Sequence, residues 1–216
     1  YYDEIEKLNK KLKSLDYQYC IKKLFGQKVL EGKLKNKKII VFLSELSDGL
    51  FSHDFKKSKD YTLSGTSKTI KRTNIVLENV LKNLDETKQK YIFILKLHPK
   101  DLKSKYKKYF NKIDLILKNE NALEVVYLSD FIIGMTTNLL IEAAIMKKEV
   151  ISIIPRMSEI NWLADAVIPS IPFFYKDDQI LLALKKMFSG EFKFKYKRKD
   201  AYFSSLSDVL KKLITD

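Results

Sequence analysis

The chain holds two histidines, and one of them, His98, stands directly before a proline at the end of the apolar run Tyr91 to Leu97. Pro99 disfavours helical backbone at the residue before it and holds His98 extended. An imidazole presented in this way at a strand end can donate a hydrogen bond to a phosphate or protonate a departing phosphate oxygen. Lys96, two residues earlier, shares that face of the strand. It either adds positive charge near such a ligand or extends from the strand end to solvent. A second polar strand end lies in Tyr127 to Pro155, which reads YLSDFIIGMTTNLLIEAAIMKKEVISIIP. Phe131-Ile132-Ile133 is apolar enough for a strand covered on both faces. Gly134 permits a sharp turn, and Thr136 and Thr137 can cap the helix that begins at Asn138. Their hydroxyls and the free N–H groups of the first helical turn favour an anion such as a phosphate. An ordinary Thr-capped strand–helix–strand unit has the same local pattern. Glu142, in the predicted helix Asn138 to Lys147, either accepts from ribose hydroxyls or faces solvent. Ser44 and Glu45 form a third polar strand end, after Lys38 to Leu43.

Other chemistries find little support. There is no GxxxxGK phosphate loop, GxGxxG fingerprint, GxSxG elbow, HExxH pair or EF-hand pattern. His53 lies in a polar loop, where a solvated side chain is expected. Asp48, His53 and Asp54 are close in sequence but form no ligand spacing, so no metal and no cofactor are expected. The single cysteine, Cys20, excludes a disulfide framework. Lys and Arg total 41 against 27 Asp and Glu, a net charge of +14 carried almost entirely by lysine. Local clusters fall at Lys33 to Lys38, Lys103 to Lys108 and Lys193 to Lys199. Arginine and aromatics are not interleaved on one face, so nucleic acid is not the expected partner. An anionic membrane surface, an acidic glycan or a merely solvated exterior fits better. No apolar run is long enough to cross a bilayer, and the charged N-terminus is not a signal peptide. A cytoplasmic protein, peripheral at the inner membrane face, is the expectation. The chain does not begin with Met, which suggests a piece of a longer protein.

The elements that must position these residues follow from periodicity. Ile5, Leu8 and Leu12 lie at helical spacing, and Lys38 to Leu43 reads as a buried strand. Ser44 to Gly65 is a long polar loop, and Thr66 to Leu84 a helix with a wide apolar stripe that runs from Ile70 through Ile75 and Val80 to Leu84. Tyr91 to Leu97 is a strand, Asp101 to Phe110 a short basic helix, Ile113 to Leu117 a strand and Ala122 to Tyr127 a helix. Past Pro155 an irregular stretch leads to helices at Asp177 to Phe188 and Ser205 to Ile214. Alternating strands and helices imply an α/β, Rossmann-like three-layer domain with a parallel sheet of five or six strands. The expected division is 1–37, an N-terminal helix and linker; 38–190, the Rossmann-like domain; and 191–216, a basic C-terminal segment and helix. Ligands of such sheets bind beyond the carboxyl ends of the strands, where His98, Ser44 and Thr136 all fall.

The pair LKLHPKD and SDFIIGMTTNLLIEAAIMKKEVISIIP resembles the nucleotide-sugar-binding half of GT-B glycosyltransferases. It is most similar to bacterial capsule and lipooligosaccharide enzymes of the sialyltransferase and polysialyltransferase type. Those enzymes carry an HP motif and a Ser-Ser/Thr motif that contact the cytidine nucleotide of the donor. His98-Pro99 matches the first and Thr136-Thr137 the second, with Thr at a position where Ser is usual. CDP-glycerol-dependent glycerophosphotransferases and UDP-sugar 2-epimerases share the architecture and similar strand ends. The resemblance spans Lys38 to Pro155. It implies a nucleotide-sugar donor, a CMP-sialic-acid-like one favoured, and a glycan or glycolipid acceptor. Ser44, Glu45, Lys96, Pro99, Gly134, Thr136, Thr137, Asn138 and Glu142 would then hold the donor and His98 would act on its phosphate. The acceptor domain, with the general base, would be a second Rossmann-like unit for which the residues before Lys38 are too few. Ser47-Asp48-Gly49 has a faint likeness to the acidic-acidic-Gly motif of that domain but stands in the wrong half. A non-catalytic nucleotide- or partner-binding half-domain, or a UDP-sugar 2-epimerase-like enzyme, is the alternative.

Overall fold

The computed structural model describes residues 2–14, 21–24, 26, 37–46, 57–162 and 171–192. Helix α1 (Tyr2–Ser14) precedes strand β1 (Lys38–Leu43), helix α2 (Arg72–Thr87) and strand β2 (Tyr91–Lys96). A 3₁₀ helix (Lys103–Tyr109), β3 (Leu115–Leu117), α3 (Ala122–Leu128), β4 (Phe131–Gly134), α4 (Leu139–Ile145) and β5 (Glu149–Ile153) follow. A second 3₁₀ helix (Met157–Trp162), β6 (Phe173–Phe174) and α5 (Asp177–Ser189) complete the order. All six strands are parallel, in the order β3-β2-β1-β4-β5-β6. This is the Rossmann-like arrangement, and its direction of progression reverses between β1 and β4, where a crevice opens beyond the strand ends.

Both sheet faces are buried, which is why the strands read as continuous apolar runs. Ile39, Val41 and Leu43 of β1 pack with Ile92, Ile94, Ile132 and Val150 under α3 and α4, and Ile5 and Leu12 of α1 join that layer. Ile40 and Phe42 point the other way, with Phe93, Leu95 and Ile133, against Ile75, Val80 and Leu84 of α2 and Leu184 of α5. The alternation places Lys96 on the α3/α4 side, since Leu95 and Leu97 belong to the opposite layer.

Several expectations are corrected. The helix read from Thr66 begins at Arg72, and Ile70, assigned to its buried stripe, is exposed. Residues 66–71 instead wrap the buried Glu78 carboxylate, which accepts from the amides of Thr66 and Ser67, the Ser67 hydroxyl, Lys108 and the Tyr109 hydroxyl. Gly65 enters this loop with φ +70°, and a Cβ there would stand 2.6 Å from Glu78 Oε2. Local charge pairing therefore overrides helical periodicity. Gly134 is not among the glycines with positive φ; what it permits is close packing, since a Cβ would stand 3.0 Å from Leu140 Cδ2. The basic helix is a 3₁₀ helix, and β6, the two residues directly after Pro172, is too short to have left a periodic signal. Cys20, His53, Ser47-Asp48-Gly49, Lys193 to Lys199 and the helix read at Ser205 to Ile214 lie outside the described residues. No helix among the described residues is long and apolar enough to cross a membrane.

Candidate functional site

A cavity of about 560 Å³ opens at the carboxyl edge of the sheet, over the β1/β4 crevice. Ser44 from the end of β1, Lys96, His98 and Pro99 from the end of β2, and Thr137, Asn138 and Glu142 from the start of α4 all line it. Lys118, Asn119, Glu120 and Ala122, between β3 and α3, close its far wall. A second cavity, about 470 Å³, lies among Phe173, Tyr175, Leu182 and Phe192 and contains none of the residues singled out from the sequence.

His98 is half-buried and held through its backbone. Its N–H donates to Ser44 Oγ at 3.0 Å, and Ser44 Oγ donates to Asp101 Oδ2 at 3.1 Å. Asp101, fully buried, also accepts from the Tyr106 hydroxyl at 2.6 Å and its N–H donates to the His98 carbonyl at 2.8 Å. Ser44 is thus bound up in orienting the strand end. On the ring, the Lys100 amide donates to Nδ1 at 3.2 Å. A neutral imidazole that accepts at Nδ1 carries its proton on Nε2. That N–H has no acceptor among the described residues and is available to a ligand.

Lys96 neither points to solvent nor stands free. Its ammonium donates to the carbonyls of Lys118 at 2.8 Å and Leu97 at 3.3 Å. Burial pulls its pKa below the ordinary lysine value, with Glu120 opposing the shift. Burial likewise pushes the Glu142 carboxyl up. Glu120 Oε2 is buried without a hydrogen-bond partner, an orphan acceptor at the cavity wall. It was not found from the sequence, because nothing in the run Lys118-Asn119-Glu120 distinguishes it from a solvated turn.

The turn after β4 divides its two threonines. Thr137 lines the cavity, and its hydroxyl accepts from the Leu139 amide at 3.3 Å, a weak form of the expected cap. The N–H groups of Thr137 and Asn138 have no acceptor among the described residues. Thr136 turns toward Glu45: its N–H and its hydroxyl both donate to the Glu45 carboxylate, the latter at 2.9 Å. Glu45 also accepts from Arg72 Nη1 at 2.7 Å. Glu45, Gly134 and Thr136 therefore stand behind the cavity wall rather than among its lining residues.

Arg72 is the residue the sequence concealed most fully. It opens α2 and is completely buried, with Nε donating to Glu159 at 2.6 Å and Nη2 to Thr136 Oγ1 at 3.3 Å. Burial would lower its pKa, but Glu45 and Glu159 outweigh that and hold it above the ordinary value. Glu159, itself fully buried, is pushed up by desolvation against the pull of Arg72 and Arg156. Trp162 lies 5.1 Å from the Arg72 guanidinium and 5.5 Å from that of Arg156, closing the cluster. Among the described residues no group of three or more side chains could hold a metal ion.

No protein-family model matches the sequence, and no curated protein is significantly similar to it. Solved structures are similar. One structure of the wall teichoic acid polymerase TagF, of a variant, superposes with a TM-score of 0.51 at 15% identity, over 92% of this chain and 46% of that one. Another of the same polymerase gives 0.50 at 14% identity, over 87% and 42%. KpsC from Thermosulfurimonas dismutans, a beta Kdo 2,7 transferase, gives 0.41 at 19% identity, over 86% and 56%. The chain has the Rossmann-like α/β fold of the polymerase and spans less than half of its length.

Proposed function

We propose that this chain is the donor-binding half of a GT-B-type transferase that builds a cell-surface polymer from a nucleotide-activated unit, a cytidine nucleotide favoured. The observation that carries the reading is the cavity over the β1/β4 crevice, where Ser44, Lys96, His98, Thr137, Asn138 and Glu142 converge from three strand ends. The N–H groups of Thr137 and Asn138, without an acceptor among the described residues, form with the Thr137 hydroxyl and His98 Nε2–H a set of donors suited to a phosphate. Because Nδ1 is engaged by the Lys100 amide, His98 presents Nε2–H as its donor to the departing phosphate. Glu142 and the orphan oxygen of Glu120 are acceptors for ribose hydroxyls. Pro99 holds His98 extended, Gly134 lets Leu140 close on the strand end, Ser44 lines the cavity while orienting the His98 backbone, and Glu45 and Thr136 support the lining from behind.

Acceptor and general base belong to the part of such an enzyme beyond this chain, and the acceptor is a glycan or glycolipid. Capsule-type polymers are the nearest class by motif. An anionic membrane surface is the proposed docking partner, through Lys103 and Lys107 with exposed Leu102 and Phe110 beside them. Isothermal titration of the chain with CMP, CDP and UDP tests the donor reading. Cytidine nucleotides should bind more tightly than UDP. Preference for UDP would move the chain toward the epimerase-like alternative, and binding of none would end the reading.

A further inference from the structure

The cluster behind the cavity wall is an expensive way to hold a fold together. Arg72 and Glu159 are both 0% exposed, and taking charge out of water is unfavourable until pairing offsets it. Apolar side chains of similar size would serve stability as well. What apolar residues could not do is fix a backbone amide. Both donors of Thr136 end on Glu45, and Arg72 Nη1 grips the same carboxylate at 2.7 Å, so its oxygens are held on two sides. On the other flank of the turn, Ser152 Oγ donates to the Met135 carbonyl at 2.6 Å. The residues between these anchors and α4 are Thr137 and Asn138, whose amides are left unpaired at the cavity.

We propose that Glu45 is a positioning residue. Clamped by Arg72, it sets the shape of the Thr136 turn and so governs recognition of the ligand's phosphate without touching the ligand. Among the described residues neither the Glu45 nor the Arg72 side chain hydrogen-bonds a residue that lines the cavity, so the effect reaches a ligand through the turn that carries the Thr137 and Asn138 amides. This inference rests on the nucleotide reading above and deepens it. It also explains why a residue at the end of β1, beside the lining residue Ser44, contributes nothing to the lining itself.

The test compares CMP with cytidine, which lacks the phosphate, by calorimetry on the full chain. Glu45→Ala should weaken CMP by about tenfold or more while changing cytidine less than about twofold, the loss of one oriented charge-assisted contact. Glu45→Gln retains an acceptor for the Thr136 amide but turns an NH2 toward Arg72 Nη1, so its loss of CMP affinity should lie between the parent and Glu45→Ala. Glu45→Asp, too short to span Arg72 and Thr136 together, should show the selective loss; it decides the matter with Glu45→Gln if Glu45→Ala does not fold. Equal weakening of CMP and cytidine would reduce Glu45 to a structural role and overturn the proposal, as would unchanged CMP binding in Glu45→Asp. A parent chain that binds cytidine but not CMP, or neither, removes the nucleotide reading and this inference with it. Parent binding that persists while Glu45→Asp behaves like the parent refutes the inference alone.

Discussion

Substituting His98 by alanine, asparagine and glutamine separates the two ring nitrogens. The Lys100 amide donates to Nδ1 at 3.2 Å, leaving Nε2–H as the ring's free donor. A hydrogen bond from it to an anionic phosphate contributes about 1.5–3 kcal/mol, or roughly 10- to 150-fold in affinity. His98→Ala should therefore raise the Kd for CMP by about that factor. Asparagine places its amide nitrogen where Nδ1 lies, so it should behave like alanine. Glutamine reaches the Nε2 position and should recover most of the loss, to within about fivefold of the parent. Calorimetry at neutral pH gives the three constants, and circular dichroism verifies that each variant is folded. Backbone orientation is not at stake, since the Ser44 and Asp101 contacts are made by the His98 main chain. Asparagine equal to or better than glutamine would mean the wrong nitrogen has been assigned. Unchanged binding in His98→Ala would mean that no phosphate is held there.

Acid should weaken the fold through Glu78. Burial raises its pKa, but Ser67, Tyr109 and Lys108 outweigh that and hold it at about 2, against 4.5 for a free glutamate. A depressed folded-state pKa gives stability that is fully present above the unfolded value and is lost as pH falls from there through the folded one. About 3 kcal/mol is at stake over that window, read by urea denaturation, and Glu78→Gln should flatten the profile; an unaltered profile would contradict the assignment. Arg72→Met strands the buried Glu159 with Arg156 alone and should lower unfolding free energy by roughly 3 kcal/mol, a loss below about 1 kcal/mol being inconsistent with the ion-pair cluster. Sedimentation with anionic vesicles should pull down the chain, with salt reversing it and Leu102→Ser with Phe110→Ser reducing it. Leu102 and Phe110 are 54% and 42% exposed, and Lys103 lies 5.7 Å from the Phe110 ring. Equal binding to neutral vesicles, or binding indifferent to salt, would assign the lysines to a solvated surface.

What could be read from the sequence was whatever the chain encodes locally. β1, β2, β4 and β5 were legible because strands covered on both faces are unbroken apolar runs, and His98-Pro99 and the Gly134 to Asn138 turn were legible because they interrupt such runs. From alternating elements the parallel sheet followed, and with it the edge where polar strand ends would gather. Boundaries failed where polar contacts distant in sequence took over. Residues 66–71 looked helical but wrap Glu78, whose partners Lys108 and Tyr109 lie 30 and 31 residues away.

The division of labour among the site residues was decided by tertiary structure alone. Thr136 and Thr137 are adjacent and chemically identical, yet one faces the cavity and the other a carboxylate 91 residues earlier in the chain. Glu45 and Lys96 both carry charge at a strand end. The fold turns Glu45 onto Arg72, behind the cavity wall, whereas Lys96 lines the cavity with its ammonium held by the carbonyls of Lys118 and Leu97. Arg72 itself resembled any helical arginine, since its partners Glu45 and Glu159 are 27 and 87 residues distant. Periodicity reports how a residue relates to its own element. Which charge is desolvated, and which donor remains free, depends on the side chains that other elements bring against it.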